Sequence, residues 1–386
     1  MTLGPGGELL VTESLPSAKG GVYIVGATER KPIISNLDKP YGLAFWGNYL
    51  YVAEPGIRNY VEYGGIGVLV FDIDDGYKFV KRIPTWETPK GKDPENLKGI
   101  AASAVTGRLY LTTFNRMAAL DIVTGNKIWD RAYEGGCDRL AISPDGAILY
   151  VPSFEGAHWN VVNAATGDVV TKIETKSGSH NTIYSSDGSR VYMAGLRSPF
   201  LSVADTRTHT VVQTVGPFSK PIRPFTVNGR GTRVFVNVND LPGFEVGDLQ
   251  SGKVLCRVEF QGYQPGPLKR HGCPSHGIAL TPDEKELWVA DGANNCLHVF
   301  DATVLPPKPV AIIKLRDFPG WISFSINGRQ AYSSTGEIVD TRTKKIVATL
   351  KDESGRPVQS EKLLEIVFQG GKVARAGNQF GVGAIQ

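Results

Sequence analysis

The chain has 386 residues and a formal net charge of +4, and 41% of its residues are hydrophobic. No block of basic residues accompanies this small charge, so nucleic-acid binding is not expected. No run approaches the roughly 20 apolar residues of a membrane span, so no membrane-spanning segment is expected.

Strands and tight turns recur through nearly the whole chain. The first strands of the repeat start at Gly42, Gly99, Arg139, Asn181, Pro224, Gly277, Trp321 and Leu364. Five of the seven intervals between these starts are 40 to 44 residues long. The clearest copy, 139–173, has four strands, with a turn at 143–146 and another at Thr166-Gly167. A period in the low forties with four short strands predicts an all-β protein, a β-propeller of four-stranded antiparallel blades.

The two ends of the chain decide the predicted number of blades. Residues 1–19 are predicted to be an N-terminal arm and residues 20–386 a single propeller domain. Segment 21–37 resembles a third and a fourth strand, and segment 362–377 a first and a second. Pairing between these segments would complete an eighth blade and close the ring without an open edge, so eight blades are preferred. Seven blades remain possible if a terminal pair packs outside the ring.

The compartment and the cysteines leave alternatives open. The N-terminus, MTLGPGGELLVTESLP, has no basic segment followed by an apolar core. As it stands the chain is expected in the cytoplasm, or in the periplasm or outside the cell if an export segment has been removed. Cys273 and Cys296 belong to the same repeat and either form a disulfide or stay as buried thiols in a reducing compartment.

The repeat resembles the YVTN family of β-propeller repeats. The stretches that carry the resemblance are SHGIALTPDEKELWVAD (275–291), RLAISPDGAILYV (139–151), VFDAT (299–303) and DIVTG (121–125). Similar propellers serve as surface proteins, lactonases, electron-transfer subunits and cytochrome d1-like haem carriers, so the resemblance implies the fold and not one function. The chain has no Cys-x-x-Cys-His motif for covalent haem attachment.

The first strand of each blade is expected to line the central channel. The residue before each aligned start should then stand at one mouth of the channel, which we call the top mouth. Around the predicted ring these residues are Tyr41, Lys98, Asp138, His180, Arg223, His276, Gly320 and Leu363. Six of the eight are polar or ionisable, whereas a purely structural ring favours small and apolar residues. We therefore predict a functional site at the top mouth.

Loops predicted on the same face add further candidates, because variable loops on a rigid scaffold commonly carry function. Glu155 and His158 lie in one such loop, and Asp240 and Asp291 hold similar positions in later repeats. His271 lies in the connection that leads to His276. Four of the six histidines are thus predicted on one face: His158, His180, His271 and His276.

Two kinds of chemistry fit this arrangement. In the first, His158, His180, His271 and His276 bind a divalent metal ion that polarises a substrate oxygen or activates water or dioxygen. In the second, the same groups bind a polar or anionic ligand without metal, and His180 and His276 act as hydrogen-bond donors or as an acid–base pair. The structural alternative is that these residues only satisfy loops and strand ends.

The sequence therefore favours an enzyme that acts on a small oxygen-rich or anionic molecule. Lyase or hydrolase chemistry of the lactonase kind, or a metal-dependent oxidation, is expected. The candidate catalytic residues are Asp138, His180, Arg223, His276 and Glu155. The candidate substrate-binding residues are Tyr41, Lys98, Arg139, Arg197, Asp240, Asp291 and Trp321. The alternative is a non-catalytic propeller whose top face binds a ligand or a protein partner.

Overall fold

The computed structural model describes residues 47–54, 65–92, 94–263, 266 and 273–385, together with the backbone of four strands nearer the N-terminus. Those four strands pair consecutively and antiparallel in one sheet: β1 (Thr2–Leu3), β2 (Leu9–Leu15), β3 (Ala18–Ile24) and β4 (Ile34–Leu37). This sheet includes segments on both sides of residue 19, where the arm was predicted to end.

The first three blades are numbered in chain order. Blade 1 begins with β5 (Gly47–Glu54), β6 (Gly67–Asp72) and β7 (Lys78–Ile83). Blade 2 contains β8 (Gly99–Ser103), β9 (Arg108–Thr112), β10 (Arg116–Asp121) and β11 (Lys127–Ala132). Blade 3 contains β12 (Ala141–Ile142), β13 (Ile148–Pro152), β14 (His158–Asn163) and β15 (Val169–Glu174).

Four further blades follow, and the chain then returns to blade 1. Blade 4 contains β16 (Ser179–Tyr184), β17 (Arg190–Gly195), β18 (Leu201–Asp205) and β19 (Thr210–Val215). Blade 5 contains β20 (Ile222–Val227), β21 (Arg233–Val238), β22 (Gly243–Asp248) and β23 (Val254–Glu259). Blade 6 contains β24 (Ser275–Leu280), β25 (Glu286–Asp291), β26 (Cys296–Asp301) and β27 (Lys308–Lys314). Blade 7 contains β28 (Ile322–Phe324), β29 (Gln330–Ser333), β30 (Glu337–Asp340) and β31 (Ile346–Thr349). The last strands, β32 (Leu363–Gln369) and β33 (Lys372–Ala376), join the sheet of blade 1.

The turns explain why the repeat folds locally as predicted. In the first turn of blade 3 the N–H of Gly146 donates to the carbonyl of Ser143 at 2.9 Å. Gly146 has a φ of 73°, a conformation that glycine adopts without strain. The turns between third and fourth strands use an aspartate whose carboxylate accepts backbone N–H groups, as Asp121 does from Thr124 at 2.7 Å. The same arrangement occurs at Asp72, Asp205, Asp301 and Asp340.

The seven blades form a closed ring, which confirms the predicted propeller. Neighbouring blades share apolar clusters. One joins blades 3 and 4 around Trp159 and Val191, and another joins blades 7 and 1 around Tyr332 and Leu50. The fourth strands are largely exposed, as β15 is at all but one of its six positions, so they form the rim. No helix long and apolar enough to cross a membrane occurs among the residues described.

Ring closure differs from the preferred expectation of eight blades. Strand β32 pairs antiparallel with β5, in a register that places Leu363 opposite Val52, and so provides the inner strand of blade 1. Strand β33 pairs with the other side of β32, and segment 21–37 lies in the separate N-terminal sheet. The preference for eight blades was wrong because 362–377 completes the first repeat instead of starting a new blade with 21–37. The predicted first strand at Gly42 lies outside the described residues.

The segment that follows β33 runs inside the ring. The side-chain amide of Gln379 donates to the carbonyl of Leu140 at 3.0 Å, and the carbonyl of Gln379 accepts from the indole of Trp321 at 2.7 Å. The carbonyl of Gly381 accepts from the N–H of Leu280 at 3.0 Å and from the hydroxyl of Thr226. Residues 377–385 therefore connect the inner parts of several blades across the channel.

We expect Phe380→Ala to lower the free energy of unfolding by about 3–5 kcal/mol, because it removes a buried aromatic side chain. Phe380 is 3% exposed and packs edge-on against Trp321, with ring centroids 5.6 Å apart. Urea unfolding measures the change. Ile385→Ala, at an exposed side chain of the same segment, is the control and should change stability by less than about 0.5 kcal/mol. A loss of under 1 kcal/mol for the Phe380 variant would contradict a supporting role of this segment in the ring.

Candidate functional site

Five of the eight residues predicted at the top mouth line one small cavity. Its volume is about 40 Å³, and it is lined by Lys98, Asp138, Arg139, Phe154, Glu155, His180, Leu196, Arg223, His276, Glu361 and Lys362. Five of these residues directly precede the first strands aligned in the sequence of consecutive repeats, from blade 2 to blade 6. The repeat thus places the equivalent position of each blade at the same end of the channel.

Asp138 and His180 form a close pair between blades 3 and 4. The Nδ1 of His180 lies 2.5 Å from Oδ2 of Asp138, and both side chains are largely buried. A carboxylate at Nδ1 orients the imidazole and leaves Nε2 as the ring nitrogen that exchanges a proton with a bound molecule. This pair can therefore serve as an acid–base group.

Lys98 has an unusual environment for an amine. Its side chain is buried, and Nζ lies 4.2 Å from the ring centroid of Phe114. Burial, followed by repulsion from Lys362, lowers the pKa of Lys98 from 10.5 to about 6. The amine is consequently mostly neutral at pH 7, a state in which it can accept a proton.

Two more cations share a single carboxylate at the cavity floor. Arg139 donates from Nη2 to Oε2 of Glu361 at 2.5 Å and from Nη1 to the Glu361 carbonyl at 2.9 Å. Lys362 Nζ lies 3.4 Å from the same Oε2. Burial lowers the pKa of Lys362 from 10.5 to about 8. Asp138 also lies near enough to both cations to favour their charged forms.

His276 and Arg223 complete the wall on the side of blades 5 and 6. The Nδ1–H of His276 donates to the carbonyl of Gly320 at 2.8 Å, and the Nε–H of Arg223 donates to Oδ1 of Asn239 at 2.5 Å. Both side chains are thereby oriented by blade residues outside the cavity. Glu155 lies opposite with a φ of 50°, in the left-handed region that is uncommon for a glutamate.

Trp321 packs against Arg139, one of the residues that line the cavity. It is 1% exposed, and the guanidinium carbon of Arg139 lies 3.6 Å from its ring centroid. Phe380 packs on the indole as well. Trp321 was predicted to contact substrate, but Arg139 and Phe380 cover it, so the indole positions Arg139 instead.

The other predicted site residues lie elsewhere. Arg197 and Asp240 are exposed on loops and do not line the cavity. His158 starts β14 and is near Glu134 and Lys172 on the rim side, away from His180. Tyr41 and His271 are outside the described residues. Of the four histidines predicted to bind a metal, His180 and His276 therefore line the same cavity, whereas His158 does not.

A different group of side chains could hold a metal ion. Asp291, predicted to bind substrate, lies together with Cys296 and His298 in blade 6, and all three are buried. Their potential ligand atoms lie within 4.8 Å of one another. Cys273 and Cys296 are not joined by a disulfide.

Sequence reasoning missed four important residues. Glu361 and Lys362 lie two positions and one position before the predicted mouth residue Leu363, and Lys362 began the segment that was assigned to an eighth blade. Their charge next to a predicted first strand was the available signal. Cys296 and His298 are two residues apart on β26, so their side chains lie on the same face of the strand. This spacing was not recognised as a possible pair of metal ligands.

The fold and cavity define the chain as a seven-bladed β-propeller with a charged top mouth. Neither a protein-family model nor a curated protein matches it, so membership of the YVTN family stays a prediction. The chain is similar in structure to hydrazine synthase from Kuenenia stuttgartiensis, with a TM-score of 0.57 and 16% sequence identity. The match covers 72% of this chain and 88% of that one. At this identity the likeness supports the propeller fold alone.

Lys98→Met should stabilise the protein, and the gain should fall as the pH rises. Between pH 6 and pH 10.5 the unfolded chain holds a proton on Lys98 that the native protein does not, so wild-type stability increases with pH in this window. The gain from the variant should therefore shrink by up to about 1.4 kcal/mol per pH unit. Urea unfolding at pH 7, 8 and 9 measures it, with exposed Lys308→Met as the matched control. A gain that is equal at the three values would refute the lowered pKa.

Proposed function

We propose that the top mouth binds the anionic group of a small molecule and transfers a proton to or from it. The observation that carries this proposal is the presence, in one small cavity, of a buried Lys98 amine and the paired His180 and Asp138. The Lys98 amine has a pKa of about 6, and the imidazole of His180 is oriented by Asp138. Both types of group suit acid–base work near neutral pH.

Several basic side chains of the cavity can bind an anionic ligand. Arg139 and Lys362 share the carboxylate of Glu361, and Arg223 lies on the opposite wall. A carboxylate or similar anion in the cavity would accept hydrogen bonds from these groups, and its charge would favour the protonated form of Lys98. Arginine and lysine together supply both forked and single-point hydrogen bonds to such a group.

The size of the cavity limits what enters it. A water molecule needs about 10–15 Å³ of such volume, so 40 Å³ holds about three or four water-sized groups. Sites for whole metabolites are usually about 300–1,000 Å³. Only the reacting end of a substrate therefore enters the cavity, and the remainder lies towards the loops of the top face.

The proposed chemistry is of the lyase or lactone-hydrolase class. His180 exchanges the proton through Nε2, and Asp138 positions its imidazole. Lys98 accepts a proton and, once protonated, forms an ion pair with the bound anion. Arg139, Lys362 and Arg223 orient the anion. A non-catalytic binding propeller would share the anion site and lack the proton-transfer step.

Binding should take up protons through Lys98. The anion raises the pKa of the amine, so at pH 7–8 the complex should absorb up to about one proton that the free protein does not hold. Isothermal titration calorimetry in buffers of different ionisation enthalpy measures this with a panel of small carboxylates, including lactones that carry a free carboxylate. Affinity should fall as the pH rises from 6 to 8. The size of the proton uptake depends on the charged groups around the amine, which are Asp138, Arg139, Glu361 and Lys362.

Lys98→Met should abolish the proton uptake, whereas Lys308→Met should leave it unchanged. If no member of the panel binds, or if the uptake persists in the Lys98 variant, the anion site is refuted.

His180→Asn should separate catalysis from binding. It keeps a polar side chain at the cavity but removes the proton carrier, so kcat should fall by at least about 100-fold with little change in Kd. The assay is turnover of those panel compounds that bind, and Lys308→Met is again the control. Binding without turnover by the wild-type protein would identify the mouth as the site of a binding propeller instead of an enzyme.

A further inference from the structure

Blade 6 carries three buried side chains that are rich in metal-binding atoms. Asp291 is the last residue of β25, and Cys296 is the first of β26 and lies directly opposite it in register. His298 follows two residues later, so its side chain lies on the same face of β26 as that of Cys296. The three residues are at most 4% exposed. This group is separate from the residues that line the top-mouth cavity.

The distances within the group match those between the ligands of one small cation. The Sγ of Cys296 lies 3.6 Å from Nε2 of His298. A tetrahedral zinc site with Zn–S of about 2.3 Å and Zn–N of about 2.05 Å has a sulfur–nitrogen edge of roughly 3.5 Å. The Oδ2 of Asp291 lies 3.0 Å from the same Nε2, close to the roughly 3.3 Å oxygen–nitrogen edge of such a site. Both partners approach Nε2, whereas an acid–base triad would place the carboxylate and the thiol on different ring nitrogens.

The surroundings hold these donor atoms in place. Asn294 donates its backbone N–H to Oδ1 of Asp291 at 3.0 Å and its side-chain amide to Oδ2 at 2.8 Å. The imidazole of His298 stacks on Phe260 with centroids 3.8 Å apart and meets the edge of Tyr263 at 4.7 Å. Groups that orient metal ligands in this way raise affinity because less motion is lost on binding.

We propose that Asp291, Cys296 and His298 bind a divalent cation of borderline softness, with Zn²⁺ as the best fit. One sulfur, one nitrogen and one oxygen donor suit Zn²⁺ better than Mg²⁺ or Ca²⁺, which prefer oxygen ligands. On binding, the Cys296 thiol releases its proton to solvent, and His298 coordinates through Nε2 and keeps its proton on Nδ1. This site goes beyond the proposed function of the top mouth and does not depend on it.

Three protein ligands leave room for a fourth ligand. His298 also lines a cavity of about 440 Å³ between blades 5 and 6. Its walls include Phe260, Tyr263, Phe300, Pro306 and Ile312. Zinc sites with three protein ligands commonly take water or substrate as the fourth. The fourth ligand of this site is therefore a water or a small molecule that reaches the cation from this mainly apolar cavity.

The test is titration of the full, untagged and chelator-treated chain with Co²⁺, followed by displacement with Zn²⁺. A cobalt ion bound by thiolate gives a sulfur-to-cobalt charge-transfer absorption, so the wild-type spectrum reports cysteine ligation without any substitution. We expect one Co²⁺ per chain with this band and its loss when Zn²⁺ is added. Absence of the band at millimolar Co²⁺ would overturn the proposal and leave the group as a hydrogen-bonded turn.

Variants locate the site. Cys296→Ser and His298→Gln should weaken Co²⁺ binding by more than about 100-fold, and Asn294→Ala by about 10- to 100-fold, because Asn294 only orients Asp291. Cys256→Ser, at a half-buried cysteine on β23, is the matched control and should bind as the wild type does. Circular dichroism shows which variants are folded. If His180→Asn abolishes binding and Cys296→Ser does not, the metal lies at the top mouth and this inference is wrong.

Discussion

The pairing of β32 with β5 is the interaction on which the rest of the structure depends. It joins residues about 300 positions apart in the sequence, and it gives blade 1 an inner strand. The same pairing carries Glu361 and Lys362 to the channel mouth, where Glu361 meets Arg139 from blade 3. Closure of the ring and assembly of the charged cavity are therefore one event, because Glu361, an electrostatic neighbour of both Arg139 and Lys98, reaches the mouth only with this strand.

The charged floor has an energetic cost that the fold must offset. Arg139, Glu361 and Lys362 are almost fully buried, and removing such charges from water costs several kcal/mol for each ion, even when they are paired. The same cost of burying charge lowers the pKa of Lys98 and of Lys362, because each amine gives up its proton more readily than it would in water. Apolar clusters between neighbouring blades supply the compensating burial. Groups that destabilise a protein in this way are characteristic of sites selected for function.

Sequence reasoning predicted what is local and repeated. The turn at Ser143–Gly146 and the mouth positions Lys98, Asp138, His180, Arg223 and His276 recur once per blade, so one aligned copy places the others. Sequence reasoning failed where the interacting residues are distant from each other in the chain. Strand propensity in 362–377 is the same for an eighth blade and for the missing strand of the first. Trp321 was aligned correctly, yet only the packing of Arg139 and Phe380 shows that it is covered. The grouping of Asp291, Cys296 and His298 depends on hairpin register and side-chain direction, which the pattern alone did not reveal.

The segment inside the ring also affects the order of folding during synthesis. Blades 2 to 6 are made before residues 377–385, yet the inner parts of several of them bond to this segment through Gln379 and Gly381. While the ribosome is still translating those codons, the blades can form only an open arc, with β5 lacking its partner. The exposed edge of β5 is then a site for wrong pairing with another nascent chain. Completion of the propeller consequently waits until β32 and residues 377–385 have left the ribosome.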